Sequence, residues 1–398
     1  MGDLLWPADE RAGGVFTDTA FLDAMVTVEQ AWLDALAESG VAPDPVALAG
    51  VVTAADLEQV AAGAEAGGNP VIGLVELLRE RTGSRWVHRG LTSQDVLDTA
   101  LVLCLRDAVA EVREGLRRQA HALAGLVREH RGTVMAGRTL TQYAVPITFG
   151  LKAATWLQGV TAAAERLDRG PAFPAQLGGA AGTLAAPAQL GGGAAVARAL
   201  AVDTSERLGL AFAAPWHTER SVLTEHADAL VGCADAWGRV AADVALLSRP
   251  EIAELREAAG GGSSTMPGKA NPVLSVLLRR HALAAPGLAA TLHTAAASYV
   301  DERPDGAWHA EWDSLRTLAR RSVVAASQAA DLLEGLVVDA EAMSARAVAA
   351  DETLRAEQRS MGGPSTSSGG IHEAPYLGAT DLIIDDALDR ARILWKDL

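Results

Sequence analysis

Apolar residues in this chain recur at helical intervals over long stretches. Phe21, Met25, Val28 and Trp32 fall three or four residues apart, the period of one helix face, and predict an amphipathic helix that ends near Ser39. A polar, glycine-containing stretch near residues 80–90 separates it from Thr92-Ser93-Gln94-Asp95. That Thr-x-x-acid arrangement reads as a capping box, in which side chains satisfy the free amides at a helix start. From there to about Arg131 the pattern is continuously helical. Further long helical patterns cover about 146–168, 220–248, 272–298 and 311–336, with brief Gly/Pro punctuation between them. Very long helices with short connections predict an all-α bundle. The expected division is an N-terminal helical domain at 1–91, a central long-helix bundle at 92–336 with a loop at 257–272, and a shortened helical domain at 337–398. Within that last region, Met361 to Gly370 reads as loop or linker by its Gly/Ser/Pro content. No internal repeat is visible.

Composition sharpens this picture. Apolar residues make up 49 % of the 398 positions and aromatics only 4 %. Much of the apolar share is alanine, the best helix former, and alternating β-branched runs are scarce. A net charge of −16 argues against a nucleic-acid partner, whose phosphates demand basic surface. Every apolar run is broken by charge or glycine before a membrane span is reached, and no secretory signal opens the chain, so a cytoplasmic protein is expected. Cys104 and Cys233 stand alone in apolar helical contexts and read as buried, reduced thiols. No His/Cys/Asp/Glu cluster has metal-ligand spacing and no Gly-rich loop follows a strand, so neither metal nor cofactor is expected.

Candidate chemistry concentrates in Gly260-Gly-Gly-Ser263-Ser264-Thr-Met266-Pro-Gly-Lys269-Ala-Asn271-Pro272. The glycines leave backbone amides free to face an anion, the serines offer hydroxyls, and Lys269 supplies a cation six residues after Ser263. Asn271-Pro272 reads as a helix start, with asparagine as N-cap and proline at the first helical position. A plain flexible linker explains the glycines but not the serines, Met-Pro and lysine at these spacings.

This stretch resembles the Gly-Ser-Ser-x-Met-Pro-x-Lys-x-Asn-Pro signature of the fumarase/aspartase superfamily. Two other segments resemble the superfamily's remaining hallmark regions: Trp86-Val-His88-Arg-Gly-Leu-Thr92-Ser93-Gln-Asp95 and Gly137-Arg138-Thr139-Leu140-Thr141-Gln142 through Gly150. Pro215-Trp-His217-Thr218-Glu-Arg220 and Glu302-Arg303…Gly306-Ala-Trp308…Glu311-Trp312 are similar to stretches of its bacterial 3-carboxy-cis,cis-muconate cycloisomerase group. Adenylosuccinate- and argininosuccinate-lyase-like members carry a histidine after Arg-Thr and a glutamate five residues past the signature asparagine. Here those positions are Leu140 and Val276.

The resemblance implies a three-region helical fold whose central bundle forms a tetrameric core, with each site drawn from three subunits. It implies chemistry on a small polycarboxylate, through a carbanion held as an aci-carboxylate. Ser263 would be the base or proton donor, with Lys269 and Asn271 as stabilising donors. Substrate carboxylates would be held by residues among His88, Thr92, Ser93, Arg138, Thr139, Gln142, His217, Thr218, Arg220, Ser264, Met266 and Arg303. The readings are a lactonising cycloisomerase, a related eliminase giving fumarate from a substituted succinate, or a non-catalytic member kept as a scaffold.

Overall fold

A computed structural model of the chain describes residues 3–43, 45–258, 260–262, 265, 266, 269–303, 305–361 and 376–398. Its helices and strands follow in order as α1 (Asp18–Glu38), α2 (Leu57–Gly67), α3 (Val71–Thr82), α4 (Ser93–Glu129), β1 (Val134–Thr139), β2 (Gln142–Thr148), α5 (Phe149–Arg169), α6 (Ala185–Gly191), α7 (Ala194–Arg207), α8 (Ser221–Leu247), β3 (Leu255–Glu257), α9 (Val273–Ala296), α10 (Gly306–Glu334), β4 (Leu336–Val338), α11 (Ala340–Ala349), α12 (Asp351–Leu354), α13 (Ala356–Met361) and α14 (Thr380–Leu394). Four of these (α4, α8, α9 and α10) run 37, 27, 24 and 29 residues, well beyond the roughly 11–12-residue mean of globular helices. The chain packs as two compact units, each built from three stretches.

The first unit comprises Met1–Glu111, Arg169–Leu230 and Ala285–Val324. Its helix α1 opens at Thr17, whose side-chain oxygen accepts from the Ala20 amide. Of the apolar face predicted from the sequence, Met25, Val28 and Trp32 are at most 2 % exposed, while Phe21 is half-buried. The Trp32 indole donates to the Arg89 carbonyl at 2.9 Å, which satisfies its only polar atom inside the core. Gly68 and Gly83 end α2 and α3 in the left-handed region, where a side chain would be strained.

The second unit comprises Val112–Asp168, Val231–Ala284 and Ala325–Leu398. Two of its buried tryptophans find acceptors. Trp237 donates to Gln119 at 2.8 Å, Gln119 in turn donates to the Ala326 carbonyl, and Trp156 donates to Asp243. Both cysteines are free and buried, and burial pushes each thiol up to about 12.

Among the described residues the elements are helices apart from two short antiparallel sheets, β1–β2 and β3–β4, in keeping with the all-α expectation. The hairpin occupies residues where a helix was expected from 146; α5 instead starts at Phe149. Leu140 and Thr141 form its two-residue turn, both at positive φ (47° and 72°), the geometry that matches strand twist. Gly137 sits at a register irregularity, where an added Cβ would lie 2.5 Å from the Val145 carbonyl oxygen. The Gly/Ser/Pro run after Met361 lies outside the described residues.

Candidate active site

In the first unit the polar groups gather around the start of α4. The Asp95 carboxylate is fully buried and accepts from five donors. Its Oδ2 takes the Thr92 amide at 2.9 Å and the Gly179 amide at 2.9 Å. Its Oδ1 takes the Gly178 amide at 2.8 Å, Gln176 Nε2 at 3.4 Å and His217 Nε2 at 3.2 Å. The acid of the capping box therefore does more than cap. It draws the Gln176–Gly179 segment and His217 onto the first turn of the long helix. Gly178 is required there, because a Cβ would lie 2.5 Å from His217 Cε1 and 2.8 Å from Pro215.

One turn further along, Asp98 anchors a second cluster. Arg220 is 2 % exposed and donates to Asp98 at 2.7 and 3.1 Å and to Glu311 at 2.6 Å. Gln94 donates to Asp98 and to the His217 carbonyl, and the Trp308 indole donates to Asp98 at 2.9 Å. Burial works against the Arg220 charge, but Asp98 and then Glu311 outweigh it and hold the guanidinium well above the ordinary arginine value. Burial pushes Glu311 up, with Arg220 opposing it. Trp216 and Tyr299 lie 4.8 and 5.4 Å from the guanidinium carbon. Arg220 was expected to clamp a substrate carboxylate; here two protein carboxylates occupy both of its edges.

His88 has φ 61° and places Nδ1 2.6 Å from the buried Glu29 carboxylate. A carboxylate at that distance assigns a proton to Nδ1 and leaves Nε2 for other contacts. Ser93 is the first residue of α4, Thr92 is buried beside it, and Thr218 and Arg303 are exposed.

The second unit holds the other candidates. Arg138, on β1, donates to Glu254 at 3.2 and 2.9 Å and lies over the Tyr143 ring. Glu254 is fully buried and also faces Arg346 Nε at 3.1 Å. Arg138 thus ties the hairpin to the chain just before β3, while Thr139 and Gln142, paired across the turn, are exposed. Leu140 at the tip is 95 % exposed, and Val276 on α9 is 56 % exposed.

Of the glycine-rich loop, Ser263 and Ser264 lie outside the described residues. Met266 and Lys269 are exposed, and Asn271 forms a two-way backbone pair with Gly261, at 2.9 and 2.8 Å. The expected N-cap needs correcting: α9 starts at Val273, and its free amides at Leu274 and Ser275 are taken by the Glu257 carboxylate rather than by Asn271. Among the described residues no group of three or more His, Cys, Asp or Glu is arranged to hold a metal ion, and no helix is long and apolar enough to cross a membrane.

Sequence reasoning missed Glu29, Asp98, Glu254 and Glu257 as parts of this framework. Asp98 carried a signal, lying four residues after Gln94 on the same helix face; the others meet their partners only through tertiary folding.

A long-helix fold that carries these three sequence segments points to a class, that of fumarase/aspartase-type enzymes. The chain belongs to this superfamily: a lyase family model matches residues 7–287. It is 44 % identical over 347 residues to the nitrosuccinate lyase of Streptomyces davaonensis, covering 83 % of this chain and 73 % of that one. It is also 44 % identical over 346 residues to the 3-carboxy-cis,cis-muconate cycloisomerase of Pseudomonas aeruginosa, covering 83 % and 74 %. The crystal structure of the 3-carboxy-cis,cis-muconate lactonizing enzyme from Pseudomonas putida superposes with a TM-score of 0.82 at 30 % identity, covering 96 % of this chain and 97 % of that one. A fumarate lyase from Mesorhizobium sp. BNC1 gives 0.80 at 27 % identity, covering 96 % and 98 %. The chain is therefore an enzyme of the cycloisomerase and lyase type.

Proposed function

We propose that this enzyme is a 3-carboxy-cis,cis-muconate cycloisomerase that closes a lactone by proton transfer at Ser263. Two observations support this reading: the likeness to several 3-carboxy-cis,cis-muconate cycloisomerases, and, against an amine-releasing reaction, the apolar Leu140 and Val276 where adenylosuccinate- and argininosuccinate-lyase-like members hold a histidine and a glutamate. An amine leaving group needs a proton as it departs. Lactonisation has no leaving group, because a carboxylate oxygen of the substrate itself adds across the double bond. Ser263 then protonates the neighbouring carbon.

The difficult species is the same in either direction: a carbanion beside a carboxylate, with two negative charges on one group. Each preorganised donor facing such an oxyanion is worth about 3–4 kcal/mol. In this reading Lys269, Asn271 and loop amides supply those donors and favour the Ser263 alkoxide. Thr92, Ser93 and His88, at the start of α4, are proposed to hold a second carboxylate, as a helix N-terminus favours an anion. Gln142, Thr139, Thr218, Ser264, Met266 and Arg303 are proposed as further substrate contacts. Arg138, Arg220 and His217, with their buried carboxylate partners, are proposed as positioning residues, and the working form as a homotetramer in the cytoplasm.

A second reading has its own support, the 44 % identity to a nitrosuccinate lyase. Nitrite, the anion of a fairly strong acid, departs without a proton, so apolar residues at 140 and 276 suit that elimination equally well. Spectrophotometric assay of the purified enzyme with 3-carboxy-cis,cis-muconate, nitrosuccinate and adenylosuccinate separates the readings. Consumption of the muconate alone supports cycloisomerisation, whereas nitrite and fumarate from nitrosuccinate with the muconate untouched overturns it. Turnover of adenylosuccinate would contradict both.

A further inference from the structure

The N-terminus of α9 is closed by a residue from another element. Glu257 is the last residue of β3, a strand fixed to β4 in the register Leu255–Val338, Arg256–Val337 and Glu257–Leu336. Its side chain is 7 % exposed. Oε2 accepts from the Leu274 amide at 3.0 Å; Oε1 accepts from the Ser275 amide at 2.8 Å and the Ser275 hydroxyl at 2.7 Å. The neighbouring Val273 and Val276 amides donate to the Asn271 and Pro272 carbonyls. Pro272 has no N–H, so every donor of this first turn has an acceptor. A carboxylate here also faces the positive end of the helix dipole.

Two consequences follow for Asn271. Its side chain is not called on to cap α9. Its backbone is fixed by the exchange of hydrogen bonds with Gly261, where a Cβ on Gly261 would lie 2.2 Å from Val273 Cγ2. A rigid strand on one side and a capped helix on the other thus hold the two ends of the glycine-rich segment together. We propose that Glu257 is a positioning residue for the reaction: by capping α9 it frees the Asn271 amide to face substrate and sets where that amide points. This rests on the reading of Lys269 and Asn271 as stabilising donors. It also means that the α9 dipole is already neutralised by protein, so a doubly charged intermediate depends on side-chain and loop donors.

The test combines Glu257→Gln with the milder Ser275→Ala, which removes only one of the three bonds. Hydrogen exchange of the 271–277 segment is measured for each, beside steady-state kinetics on whichever of the two acids the wild type turns over. Glu257→Gln keeps one acceptor but loses the charge. Exchange at Leu274 and Ser275 should rise at least about tenfold, and kcat should fall about tenfold to hundredfold with KM within about threefold. Ser275→Ala should shift both measures in the same direction by less. Unchanged exchange would overturn the cap, and faster exchange with kcat within twofold of wild type would overturn its positioning role. Failure of the wild type to act on either acid would instead remove the functional reading, leaving exchange to judge the cap alone.

Discussion

Arg220 presents a buried guanidinium with no exposed edge. With its guanidinium shared between Asp98 and Glu311, removing it strands two carboxylates in the core. Breaking one side of a buried pair typically costs about 3–5 kcal/mol. Arg220→Ala should therefore lower the unfolding free energy by about that amount, whereas a substrate clamp would raise KM at unchanged stability. Chemical denaturation beside substrate titration distinguishes the two. His226 gives a pH-dependent prediction. Its ring is buried and stacked on Phe173 at 4.4 Å, and burial lowers its pKa to about 4. Because the folded value lies below the unfolded 6.5, the neutral ring's contribution is complete above about pH 6.5. It is lost as pH falls toward 4, to a limit of about 3 kcal/mol. His226→Phe should flatten that part of the stability–pH curve; an unchanged slope would assign the acid sensitivity elsewhere.

At the scale of elements, the hairpin and the segment before β3 depend on one another through Glu254. Arg138 from β1 and Arg346 from α11 converge on this buried carboxylate. Glu254→Gln should loosen the hairpin more than it disturbs the long helices, seen as faster exchange across residues 134–148 with little change in helical circular dichroism. Uniform unfolding would contradict that local role. The same elements show what was legible beforehand. The Phe21–Trp32 spacing marked α1, and the Thr92–Asp95 box marked the start of α4 within one residue, because both signals are local. The hairpin was hidden, since Gly137 and Pro146 interrupt any alternation and its turn residues, Leu140 and Thr141, are unusual at positive φ. Capping of α9 by Glu257 was likewise invisible: Asn271-Pro272 is a sound local start signal, and a carboxylate brought in by a two-stranded sheet overrode it. The candidate site was readable as motifs, but Glu29 and Glu254, the buried acids that hold His88 and Arg138, were not, because those partners lie 59 and 116 positions away in the chain.

For the molecule as a whole, α9 leaves Val276 and Leu283 exposed, at 56 % and 82 %, seven residues apart on one helix face. Arg279 and Arg280 lie between them, so this face mixes apolar and basic positions, and it is a candidate contact in the homotetramer proposed above. Light scattering should give four times the 41.2 kDa chain mass, and Leu283→Asp should reduce the assembly to smaller species. A monomeric wild type would remove the shared-site picture. The charge of −16 bears on substrate capture rather than fold. Long-range repulsion of a polycarboxylate is screened within roughly 8–10 Å at ordinary salt, so kcat/KM should rise with ionic strength before it levels.

In the proposed reaction a hydroxyl at position 263 delivers hydrogen to carbon next to a stabilised carboxylate. Turnover of 3-carboxy-cis,cis-muconate in D2O, followed by mass spectrometry of the lactone, tests it most directly with wild type and Ser263→Ala side by side. The wild type should give one carbon-bound deuterium per product, and the folded variant at least about thousandfold slower product formation, in line with the loss of a primary proton-transfer group. Deuterated lactone formed at a comparable rate by Ser263→Ala would contradict it.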